Sequence, residues 1–198
     1  MSTIKTGNAT IQMGNDEFIL YIRKNYPLCK TINAILGRDI WVWIRNNDPN
    51  ATQLNNGVPV PTMWGGPFGP TQLPQNATQF EFNRMLLVPL YGYLDALGTG
   101  DNNAGNAKIQ MGNDEFILYI RKNYPLCPIT NDMLGKDIWI WIRDNDSKAI
   151  QTKEDKPTIW NSGANVNANK LPQTATQFEF DRTLLVSLYD YLDVLGGK

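Results

Sequence analysis

Nineteen consecutive residues occur twice without a change: IQMGNDEFILYIRKNYPLC fills positions 11–29 and returns at 109–127, 98 positions later. A chain with such an internal copy is built from two versions of one unit, so every other feature has to be read twice. The reading that follows is repeat unit 1 at 1–97, a linker at 98–107 and repeat unit 2 at 108–198. The linker, GTGDNNAGNA, is polar and rich in glycine. Ten such residues span roughly 17 Å as a flexible chain, which makes the two units neighbours in this reading.

Within the copied stretch Asn15 offers an N-cap side chain, and Asp16 and Glu17 fall in the first turn, where the helix dipole favours negative charge. Phe18, Ile19, Ile22 and Tyr26 lie at helical spacing, and Pro27 ends the helix. The next segment, TINAILGRDIWVWIRNND, can be read two ways. As a helix, Leu36, Ile40, Trp43 and Ile44 share a face opposite Arg38, Asp39, Arg45 and Asn46. As a strand, its β-branched and tryptophan content fits 39–45, with 137–143 in the second copy. The helical pattern accounts for more of the polar positions and is preferred. Residues 48–76 are dense in Pro, Gly and Asn, which excludes helix. ATQFEF follows at 77–82 and 175–180 and suits a short strand or an extended arm. The last element is a leucine-rich helix through Leu86, Leu90, Leu94 and Leu97. Pro89 delays its regular start in the first copy, and Gly98 and Gly196 serve as its stops.

The expected architecture is therefore mainly α: a tandem duplication of a three-helix unit with a long Pro/Gly-rich loop, packed about a pseudo-twofold axis. The alternative is α+β with 39–45 and 137–143 as strands.

Composition narrows the function classes. Eighteen basic residues stand against 19 acidic ones, for a net charge of −1. Nucleic acid is not the expected partner of so balanced a chain. The apolar runs are too short to span a membrane, and the first ten residues lack the apolar core of a signal peptide. The expected compartment is cytoplasmic, with Cys29 and Cys127 reduced. Three Asn-Ala-Thr triplets, at Asn8, Asn50 and Asn76, read as chance in an Asn/Thr-rich chain. There is no histidine, which removes the Ser-His-Asp and Cys-His arrangements and most zinc sites. Asp144, Asp146 and Glu154 resemble a calcium loop only faintly, because Ala149 stands where the turn glycine is required. Gly65-Gly66-Pro67-Phe68-Gly69 lacks the lysine of a phosphate loop. No cofactor, no metal and no catalytic residue is assigned. Glu81 and Glu179 are the carboxylates on which an acid–base enzyme would rest.

The tryptophans point elsewhere. All six read as matched pairs: Trp41 with Trp139, Trp43 with Trp141, and Trp64 with Trp160. Two tryptophans one residue apart cannot face the same way in helix or strand. One of Trp41 and Trp43 is therefore expected near the surface, beside Arg45. Tryptophan and arginine together are the usual material of binding hot spots. The candidate site is Trp41, Trp43, Arg45 and Trp64, with Trp139, Trp141, Arg143 and Trp160 in the second copy. The expected function is a non-enzymatic binding protein with two equivalent sites, or one composite site, for a protein or a small ligand such as a carbohydrate. The competing readings are a structural or assembly protein and a carboxylate-dependent enzyme.

Overall fold

In the computed structural model the described residues are 9–60, 78–101, 107–153, 156–157 and 177–197. The chain divides into two compact units, Met1–Asn106 and Ala107–Lys198.

The first unit opens with strand β1, Thr10–Gly14, in which Ile11 and Met13 are buried and their neighbours are not. Helix α1, Asn15–Asn25, follows directly. Its N-cap is Gly14 rather than Asn15, and the cap makes no side-chain hydrogen bond. The backbone N–H of Asn15 instead donates to the Thr78 carbonyl at 3.0 Å, which ties the helix start to the chain entering the sheet. Acidic residues in the first turn and basic ones in the last complement the dipole. The residue before a proline is pushed out of the helical region. Tyr26, which precedes Pro27, accordingly sits at φ −131° and ψ 67°.

Arg23 then fixes the turn into the next helix. Its guanidinium donates to the carbonyls of Cys29 and Thr31 and to Asn33 Oδ1. Helix α2, Asn33–Asn47, buries Leu36, Gly37, Ile40, Trp41 and Ile44. The Trp-rich segment is thus a helix and not the alternative strand. Its inward tryptophan is Trp41 rather than Trp43.

Two short strands follow, β2 at Thr52–Asn55 and β3 at Val58–Pro59. They form a hairpin around Asn56 and Gly57, both at positive φ (50° and 79°). This is the backbone that an Asn-Gly pair adopts most easily in a two-residue turn. Strand β4, Gln79–Asn83, pairs antiparallel with β1 on one side and β2 on the other, giving the sheet order β1-β4-β2-β3. Phe80 and Phe82 are buried; Phe18 meets both, and Trp41 stacks on Phe80 at 5.3 Å. One turn of 3-10 helix, Arg84–Leu86, leads into α3, Leu87–Thr99. Pro89 falls in the first turn of α3, where its missing N–H costs nothing.

The second unit repeats this order. It comprises β5 (Lys108–Gly112), α4 (Asn113–Asn123), α5 (Asn131–Asn145), β6 (Ile150–Lys153), β7 (Lys156–Pro157), β8 (Gln177–Asp181) and α6 (Leu185–Gly196). Its sheet order is β5-β8-β6-β7.

The expectation of a mainly α three-helix unit is overturned. Each unit is α+β: its described residues form three α-helices and a four-stranded antiparallel sheet. The strands come from the IQMG that opens the copied stretch, from the Pro/Gly/Asn-rich segment and from QFEF, not from the tryptophan segment. Nor does Gly98 stop α3. The helix runs on to Thr99 and ends at Gly100, at φ 73°. Gly98 has a different reason to be glycine: a Cβ there would lie 2.2 Å from the Tyr26 ring. Gly196 meets Tyr124 in the same way, at 2.1 Å.

Candidate functional site

Of the residues that the sequence groups as one site, the two tryptophans of each helix have different surroundings. Trp41 and Trp139 are core, 0% and 3% exposed, each stacked on a sheet phenylalanine. Trp43 and Trp141 lie half-buried on the other side of their helices. Trp43 stacks on Tyr93 of α3, with ring centroids 5.5 Å apart and planes 16° apart. Trp141 stacks on Tyr191 at 5.5 Å and 15°. Aromatic pairs of this kind contribute about 0.5–1.5 kcal/mol beyond their burial. Trp64 and Trp160 lie outside the described residues.

Arg45 points back along its own helix end. It donates to the carbonyls of Pro49 and Ala51, closing the turn into β2. Arg143 reaches the Asp144 carboxylate at 3.4 Å. Asp48 works on the same corner, accepting from the backbone N–H groups of Asn50 (2.9 Å) and Asn83 (2.8 Å). These contacts fix the C-terminal end of α2 against β4.

The Trp43–Tyr93 pair has charged neighbours. The Tyr93 hydroxyl reaches the Asp39 carbonyl at 3.5 Å, and the Asp39 carboxylate pairs with Arg38 at 2.8 Å. Burial raises the Tyr93 phenol above its ordinary value, Asp39 adds to that, and Arg38 opposes it. The Tyr191 phenol is raised by burial and then by Asp137. At neutral pH both are uncharged hydroxyls.

The hairpin bears on the pairing of Trp64 with Trp160. Pro59 faces Leu54, and Pro157 faces Thr152. Pro157 therefore occupies the place of Pro59, not that of Pro61 as the matched PTMW and PTIW motifs suggest. The two tryptophans are consequently offset by two positions relative to their hairpins.

One constellation was not visible in the sequence. Asp95, fully buried in α3, accepts hydrogen bonds at Oδ1 from Tyr21 of α1 (2.8 Å) and from Tyr26 at the C-terminal cap of that helix (2.7 Å). Asp193 accepts from Tyr119 (2.8 Å) and Tyr124 (2.6 Å). A buried carboxylate is retained only with such partners. Helical spacing could have placed Tyr21 and Asp95 on inward faces, but only the crossing of α1 and α3 brings them together. Glu81 and Glu179 belong to the sheets: Glu81 accepts from Gln12 at 2.6 Å, and Glu179 from Gln110 at 3.0 Å and Lys108 at 3.3 Å.

Among the described residues no group of three His, Cys, Asp or Glu is placed to hold a metal ion. No helix there is long and apolar enough to cross a membrane. Comparison with protein-family models, with curated proteins and with solved structures finds no match.

Proposed function

We propose that this chain is a non-enzymatic binding protein with two equivalent sites, one centred on Trp43 and Tyr93 and the other on Trp141 and Tyr191. One observation carries the reading: a stacked, half-exposed aromatic pair recurs at the same spacing and angle in both units. Large aromatics left partly in water cost hydrophobic stabilisation that a ligand or partner could recover. A flat, partly apolar ligand suits such a surface. A sugar ring is the small-molecule class that matches it best, because Asp39, Asn46 and Asn47 supply polar groups on the same helix.

Titration with cello-, malto- and chito-oligosaccharides, followed by calorimetry and tryptophan fluorescence, tests the reading. The expected result is saturable binding of one of these classes at two sites per chain. Trp43→Ala and Trp141→Ala should each remove one site, and the double variant both, with the circular dichroism unchanged. Absence of binding by the whole panel, or unchanged stoichiometry in the double variant, would overturn it.

A further inference from the structure

The outer face of α1 has a pattern that folding does not require. Across the two units, exposed positions have diverged on the other helices. On α2 and α5, the exposed Ala34 is matched by Asp132 and Asn46 by Asp144; on α3 and α6, the exposed Pro89 is matched by Ser187, and the half-buried Ala96 by the exposed Val194. On α1 and α4, and in the turn after them, nothing has changed, buried or exposed. Both copies have had the same time to diverge, so this local identity calls for a local cause. The helix dipole explains acids early and bases late. It does not explain why Leu20 and Leu118 remain leucine at 66% exposure, or Leu28 and Leu126 at 90% and 93%.

That face is complementary to itself. Asp16, Leu20 and Lys24 are four residues apart and therefore share one stripe, with Glu17 alongside the acid. Each step of four advances about 6 Å along the axis. An antiparallel second copy centred on Leu20 sets leucine against leucine and each acidic end against a basic end. We infer that the outer faces of α1 and α4 are self-association surfaces, and that their occupant is the same helix of another copy of this chain. Any pairing of α1 with α1, α4 with α4, or α1 with α4 is then equivalent, and this equivalence keeps the two faces identical. Each chain carries the surface twice, so growth does not stop by necessity at a dimer. Each contact is small, and its strength falls with added salt. This inference stands independently of the aromatic site.

Sedimentation equilibrium of the full chain from micromolar to submillimolar concentration tests it. The weight-average mass should rise to at least twice the monomer value and fall back in high salt. Leu20→Gln with Leu118→Gln, which leaves the dipole pattern intact, should hold the chain at monomer mass. A variant with Asp16→Lys, Glu17→Lys, Asp114→Lys and Glu115→Lys should lose self-association, as should one with Lys24→Glu and Lys122→Glu. The two mixed together should associate. A wild-type chain that stays monomeric, a leucine variant that associates normally, or a charge-reversed mixture that stays apart would each overturn the inference.

Discussion

Tyr93 shows how a residue can be settled by two neighbours at once. Its ring is held by Trp43, and its hydroxyl donates to the backbone carbonyl of Asp39. Its raised pKa has a definite consequence for stability. The folded state holds the phenolic proton more tightly than the unfolded chain does. The contribution is therefore complete below the ordinary value of 10.0 and is lost as pH rises through the folded value. Spectrophotometric titration should show a late-ionising tyrosine component to which Tyr93 and Tyr191 contribute. Tyr93→Phe with Tyr191→Phe should reduce that late component by two tyrosines. If all the tyrosines titrate together at the ordinary value, the packing of this pair is wrong. At the same scale, the sequence shows that Trp41 and Trp43 must diverge but not which one faces inward. The choice depends on Phe80, which a separate part of the chain delivers. The Asp95 cluster is hidden for the same reason, since its partners lie 69 and 74 positions away.

The elements were unevenly legible. The three helices of each unit follow from apolar spacing and breakers, because a helix records its pattern within its own few turns. The sheet does not. Its strands are short and lie far apart in the chain, and β1 and β4 become a pair only after α1 and α2 have been laid down between them. The hairpin was legible in principle: Asn56-Gly57 between two short extended runs is a local turn signal, obscured by the surrounding glycines, prolines and asparagines. The contact of α1 with α3 rests on a glycine that looks like a helix stop. Gly98→Ala would drive a methyl group into the Tyr26 ring and disturb the Tyr26–Asp95 hydrogen bond. Overpacking of this kind costs about 1–3 kcal/mol. Chemical denaturation should show that loss for Gly98→Ala, and again for Gly196→Ala. A neutral effect at both would mean that the helices stand farther apart than described.

For the molecule as a whole, the α+β unit used twice is the claim on which the rest depends. The sheet sets where Trp41 is buried, and so which side of α2 is left to carry Trp43. β4 is the strand that decides it, being paired on both edges, whereas a coil or an edge strand is not. In a central strand, successive backbone N–H groups are bonded alternately to the two neighbours, so consecutive amides are protected together. Residue-resolved amide hydrogen exchange on the intact chain reads this directly. Phe80 and Glu81, and likewise Phe178 and Glu179, should exchange as slowly as the middle of α3 and α6. Rapid exchange at these amides, or protection of only alternate ones, would contradict the α+β unit.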